Sequence, residues 1–180
     1  LKDGDLKVTT TLDLPLQTLI EQRMARWLSQ TRAHDLDNAV AMVVDTRSRD
    51  VVALAGSGDF FNRGIEGEVD GTLAPRSPGS TLKPFVYALA IDQGLIHPET
   101  LLDDDPTYFA EYRPGNFDHR FMGAIPAREA LYLSRNVPAI ALAAKLRDPD
   151  LYDFLQDGGA GFTGTRSHYG LAMVVGGAEI

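Results

Sequence analysis

Apolar and polar positions follow two different periods along this chain. Leu16, Leu19, Ile20, Met24, Trp27 and Leu28 recur at helical spacing and predict a helix with one apolar stripe. Asp13 stands in front of it as a cap, and Pro15 falls in the first turn, where a missing N–H costs nothing. The pattern fades between Ser29 and Ala33. Before it, residues 6–12 (LKVTTTL) are rich in β-branched side chains and read as a short strand. After it, residues 39–45 (AVAMVVD) form a nearly continuous apolar run, which predicts a strand buried on both faces. TRSRD is a polar turn and residues 51–55 (VVALA) the returning strand, so the pair reads as an antiparallel hairpin. Residues 56–78 are dense in Gly, Asn, Asp and Pro and read as a long loop, a feature that often serves a site.

From Ser80 to Gln93 the helical period returns, and Gly94 stops it. Pro84 is tolerable there because it falls in the first turn. Residues 97–125 read as irregular. Short helices are expected over 126–133 and 138–146, and a third begins at Asp148-Pro149 and ends at Gly158-Gly159. Strands followed by helices and loops, without alternating βαβ units, give an α+β fold. The 180 residues suffice for one domain with one sizeable core.

Composition narrows the function classes. The hydrophobic fraction of 44% and charged fraction of 23% are ordinary for a globular chain. No apolar run reaches the ~18–20 residues of a membrane helix, and no basic segment precedes an apolar one at the start. The net charge of −8 disfavours nucleic acid and anionic lipid as partners. Cysteine is absent, which removes disulfides, thiolate catalysis and zinc–thiolate sites together. The chain opens and closes in mid-pattern and reads as a piece of a longer protein.

The chemistry concentrates in residues 76–85, RSPGSTLKPF. A serine hydroxyl is a weak nucleophile until a base takes its proton. Ser80 and Lys83 are three apart and share a helix face, so the amine can stand beside the hydroxyl. Free N–H groups at the helix start suit an oxyanion, and burial would favour a neutral, basic Lys83. The spacing alone arises by chance about once in a chain of this length, and a serine at a helix start is commonly only a cap. A second element, Ser134-Arg135-Asn136, lies between two predicted helices. Its hydroxyl can relay a proton and its amide can both donate and accept. These two side chains can equally be caps.

Taken together, the elements match the S-x-x-K and looser S-x-N motifs of serine β-lactamases and penicillin-binding proteins. RSPGSTLKPFVYALAIDQG resembles the active-site helix of class A penicillin-binding proteins. YRPGNFD (residues 112–118) resembles the segment between their first two motifs, and SRNVPAIALA their S-x-N segment. VTTTLDLPLQ and AMVVDTRSRDVVALAG resemble the entry and first hairpin of their transpeptidase domain. The resemblance covers nearly the whole chain and points to the 1C-type branch.

The resemblance implies a partial transpeptidase domain over residues 1–180, with a central antiparallel sheet flanked by helices. It implies no cofactor and no metal. The glycosyltransferase domain and membrane anchor that family members carry ahead of this domain are not in the chain. It also implies an extracytoplasmic location, peptidoglycan stem peptides ending in D-Ala-D-Ala as substrates, β-lactams as acylating inhibitors, and other cell-wall synthesis proteins as partners. Position by position, Ser80 becomes the nucleophile, Lys83 its base, Ser134 the proton relay and Asn136 a substrate-positioning residue. The backbone N–H of Ser80 becomes half of the oxyanion hole. The family's third motif, Lys-Thr/Ser-Gly, has no counterpart in this sequence, so the chain alone is expected to be a poor enzyme. A β-lactamase or carboxypeptidase on the same scaffold, a non-catalytic penicillin-recognising module and a structural domain stay open. Asp103-Asp104-Asp105 reads as a solvated acidic loop. Glu111 and Glu129 read as surface carboxylates. His34, His97, His119 and His168 show no ligand spacing.

Overall fold

The computed structural model describes residues 7–31, 36–109 and 112–180. It divides into two compact units, Leu1–Ala74 and Pro75–Ile180.

In the first unit, α1 (Leu14–Thr31) starts where Asp13 Oδ1 accepts the N–H of Leu16 at 2.9 Å. Its stripe is narrower than the periodicity suggests. Met24 and Leu28 are buried, while Leu19 and Trp27 stay exposed. They face β1 (Ala41–Val44) and β2 (Val51–Ala55), an antiparallel pair with Ala41 opposite Ala55. Gln17 ties helix to sheet, since its amide donates to Leu54 O and accepts from Leu54 N, both at 2.8 Å. Asp45 Oδ1 accepts the N–H groups of Arg47 and Ser48 and shapes the turn.

Two expectations fail in this unit. The first strand is not buried on both faces: Met42 and Val44 are exposed, because a two-stranded sheet under one helix has only one covered face. Residues 7–12 form no strand, and Leu6 lies outside the described residues. The segment runs past β2, giving it one side-chain bond, Thr11 Oγ1 to Val51 O at 2.6 Å, before Asp13 N reaches Val52 O at 2.9 Å.

The second unit is built on α2 (Lys83–Asp92), entered through a 3₁₀ turn at Gly79–Leu82. Pro84 sits in the first turn of α2, and Gly94 at φ +67° follows its end. Residues 97–125 are not irregular throughout. They contain β3 (Leu101–Asp104) and most of β4 (Gly123–Pro126), an antiparallel pair with Leu102 opposite Ile125 and Asp104 opposite Gly123. Each unit thus carries a two-stranded antiparallel sheet among the described residues, and with the helices this gives the expected α+β class. Next come α3 (Ala127–Tyr132), α4 (Asn136–Ala143), α5 (Leu151–Asp157, capped by Asp150 on the N–H of Asp153) and α6 (Arg166–Tyr169). A 3₁₀ stretch at Gly170–Val175 follows.

The core of this unit gathers Leu82 from the 3₁₀ turn, Val86 and Ala90 from α2, Ala130 and Ile140 from α3 and α4, and Met173 and Val174 from the last 3₁₀ stretch. α4 is apolar almost all round, as a helix enclosed by neighbours should be. It anchors residues 134–136 against α2.

Candidate active site

Ser80 lies inside the 3₁₀ turn, and Lys83 N–H donates to Ser80 O as that turn passes into α2. A 3₁₀ turn eclipses residues three apart, so both side chains leave the backbone on one side. Ser80 is exposed, and its hydroxyl has no hydrogen-bond partner among the described residues. Pro78, not Ser80, occupies the cap position, so the serine is not an N-cap.

Lys83 is 1% exposed. Its Nζ donates to Ser134 O at 2.5 Å, to Asn136 Oδ1 at 2.6 Å and to Ser134 Oγ at 3.0 Å. Three acceptors satisfy the three N–H groups of an ammonium. Burial, then the nearby Arg135 charge, bring its pKa from 10.5 down to about 8. The amine is therefore directed at Ser134 and Asn136, and no bond to the Ser80 hydroxyl is made in this conformation.

The turn between α3 and α4 presents these partners. Ser134 has φ +55°, left-handed and uncommon for a residue with a Cβ. Its N–H donates to Leu131 O. Neither Ser134 nor Asn136 caps a helix: Arg135 holds the cap position of α4 and makes no side-chain cap bond. Asn136 Nδ2 donates to Gly115 O at 2.8 Å, and its N–H donates to Asn116 Oδ1 at 2.8 Å.

Behind this turn lies a set of residues that spacing alone does not reveal. Arg135 is buried, with Nε on Asp104 Oδ2 at 2.7 Å and Nη1 on Asp118 Oδ2 at 2.9 Å, and Nη2 donates to Arg120 O. Asp104 is fully buried and also accepts from Asn116 Nδ2 at 2.7 Å and Met122 N at 3.1 Å. This overturns the reading of residues 103–105 as a solvated loop. Period-two alternation along β3 turns Asp104 inward while Asp103 faces solvent, and that alternation is the signal the sequence offers. The Tyr87 phenol, one turn beyond Lys83, is buried with no hydrogen-bond partner among the described residues. Burial, then the Asp104 charge, push its pKa up.

Other candidates stand apart. Glu129 is exposed, and Glu111 and His34 lie outside the described residues. Among the described residues no three His, Asp or Glu side chains converge on a common point, and no helix is long and apolar enough to cross a membrane.

A family model described as the penicillin binding protein transpeptidase domain matches residues 39–177. The chain is 41% identical to penicillin-binding protein 1C of Escherichia coli (strain K12), over 96% of this chain and 22% of that protein. It is 34% identical to penicillin-binding protein 1B of Vibrio cholerae, over 80% of this chain and 19% of that protein. It thus spans about a fifth of the length of these curated relatives. A structure of the PonA1 protein from Mycobacterium tuberculosis in complex with penicillin V matches with a TM-score of 0.71 at 23% identity, covering 96% of this chain and 47% of that one. With the family model, the relatives and the fold in agreement, the chain belongs to the penicillin-binding-protein transpeptidase family, as a transpeptidase domain of the class A kind.

Proposed function

We propose that this chain carries the acyl-transfer site of a peptidoglycan D,D-transpeptidase, with Ser80 as nucleophile. The observation that carries the reading is the buried Lys83 amine, shared between Ser134 and Asn136 and brought to a pKa of about 8. A lysine placed only for charge has no need of such a setting.

Neutral Lys83 takes the Ser80 Oγ proton as the oxygen attacks the carbonyl between two D-alanines. The Ser80 N–H, free at the start of its turn, faces the developing oxyanion. The tetrahedral adduct collapses with loss of D-alanine, whose nitrogen receives the proton from Lys83 by way of Ser134. Ser134 suits this step because its hydroxyl accepts from an ammonium and donates to an amine. Asn136 holds the lysine through Oδ1, and the second N–H of its Nδ2, beyond the one given to Gly115 O, is the group offered to orient the donor peptide. A second stem-peptide amine then attacks the acyl-serine and returns the enzyme. A β-lactam enters by the same first step, with its ring nitrogen as the leaving group. The location implied by this chemistry is the extracytoplasmic face of a bacterial membrane, with other cell-wall synthesis proteins as neighbours.

The absent Lys-Thr/Ser-Gly strand would supply a second oxyanion donor, and one such donor is worth roughly 10²–10³ in rate. Turnover by the chain alone is therefore expected to be weak. The test is the intact mass after incubation with a reactive penicillin, beside Ser80→Ala. One adduct that vanishes in the variant supports the reading. No adduct on the folded chain, nor on one extended past Ile180, overturns it.

A further inference from the structure

Acyl transfer at Ser80 uses Ser134 and Asn136 but leaves the residue between them without a task. Arg135 is a costly residue to bury. A guanidinium taken out of water needs its donors matched, and a buried pair is seldom kept for stability alone. Here the matching is nearly complete: Asp104 from β3, Asp118 and the Arg120 carbonyl from the following loop. The same loop holds the other side of the turn, through Gly115 and Asn116 on Asn136. The YRPGNFD segment thus meets the S-x-N turn through three of its residues, Gly115, Asn116 and Asp118.

Resting on the acyl-transfer function, we propose that Arg135 is a positioning residue for the reaction: clamped between Asp104 and Asp118, it fixes the Ser134–Asn136 turn that holds Lys83 and supplies the positive charge behind that lysine. Its two chain neighbours are the residues that bind Nζ, so a side chain held by Asp104 and Asp118 pins the backbone between the two acceptors. The charge acts in the direction a general base requires, because a cation behind Lys83 disfavours a second one. Asp104 and Asp118 moderate that charge from the far side. Tyr87, one turn on along the lysine's own helix, is a further titratable group, and burial and Asp104 keep it protonated. The residues that α3, α4, α5 and the last 3₁₀ stretch bury in the surrounding core are apolar. Arg128 of α3 is exposed and pairs with Glu99, and Asp153 of α5 pairs with Arg166.

The chain contains only four lysines, Lys2, Lys7, Lys83 and Lys145, so ε-carbon-labelled lysine gives a resolved NMR titration of each in the whole chain. This reports on Lys83 whether or not Ser80 is acylated, and so separates failure of the clamp from failure of the acyl-transfer function. In Arg135→Gln, which keeps a donor toward Asp104, Lys83 is expected to titrate about one unit higher than in the wild type. In Arg135→Lys, which keeps the charge without the fork, it stays within a few tenths of a unit. In Asp118→Asn, which removes a half-exposed anion, it stays level or falls. A merely structural loosening admits water and moves Lys83 upward in all three. An upward shift in Asp118→Asn, or an unchanged midpoint in folded Arg135→Gln, overturns the proposal. Should Arg135→Gln fail to fold, the direction in Asp118→Asn decides alone. The penicillin acylation rate is expected to follow the Lys83 midpoint across the same variants.

Discussion

The Nζ of Lys83 sits 2.6 Å from Oδ1 of Asn136, a bond between the first residues of two helices 53 positions apart. The carbonyl end of the amide is committed to the lysine, and its nitrogen is committed to Gly115 O at 2.8 Å. Neither end can turn over without breaking both contacts.

Asn136→Asp converts this neutral acceptor into an anion at the same distance. The ammonium is then favoured, and the Lys83 pKa is expected to rise by about one to three units. Penicillin acylation at pH 7 should fall by a similar number of decades, and its pH profile should move to higher pH. Stopped mixing at several pH values checks this. A variant with a wild-type profile would show that Lys83 is not the base.

Lys83 itself predicts the wild-type profile. With a pKa of about 8, the neutral fraction at pH 7 is about a tenth, because each unit below the pKa costs tenfold. Acylation is expected to rise nearly tenfold per unit below that value and to level off above it. Stability follows the same group with a definite sign. A lysine whose pKa is depressed on folding binds fewer protons when folded, so this contribution improves as pH rises from about 8 towards the ordinary 10.5. Lys83→Met should remove that rise from the urea midpoint measured against pH, and cut acylation by roughly 10²–10⁴.

Ser134 combines a useful hydroxyl with a backbone at φ +55°. The two features separate by substitution. Ser134→Ala loses the hydroxyl and keeps the left-handed strain. Ser134→Gly loses the hydroxyl and relieves it. Glycine should therefore be the more stable variant by about 1 kcal/mol in urea unfolding, while both slow acylation alike. Equal stabilities would mean that the turn is reshaped when the side chain changes.

Much of the candidate site's geometry is readable in the sequence because its pieces are local. Ser80 and Lys83 lie within one turn, and Ser134 and Asn136 within another, so each motif fits in a few letters. The clamp behind them is not local. Asp104 and Arg135 are 31 residues apart and nothing in either segment names the other. A run of three aspartates suggests solvent until the strand is recognised, and a four-residue strand with two acids gives little period to recognise. The first hairpin is legible because its apolar runs flank a polar turn, but how many faces it buries depends on what packs on it, which is a tertiary property. Residues 7–12 have strand composition and lack a strand's bonding: β-propensity measures fit to a pleated surface and needs a partner edge.

Gly176 has φ +97°, and a Cβ there would come 2.4 Å from Ser77 Oγ and 2.6 Å from Gly79 Cα. Gly176→Ala is expected to push the approach to Ser80 out of place. Acylation should drop by tenfold or more, without any change in a residue that the proposed mechanism uses. The adduct rate checks this, with circular dichroism confirming the fold. An unchanged rate would mean that the 77–79 segment is not needed in its observed position.

That approach segment is braced at its start by the far end of its unit. Ser77 Oγ donates to Gly176 O at 2.7 Å, and Arg76 and Ile180 exchange N–H···O bonds at 3.2 Å. The partners are about a hundred residues apart along the chain, so the seam closes one of the largest loops in the unit. Contacts of that separation lose their entropy before they return any energy, and they slow folding. The Ser80 turn should consequently be among the last parts to acquire its native shape, and refolding monitored by penicillin reactivity should lag behind refolding monitored by helix content.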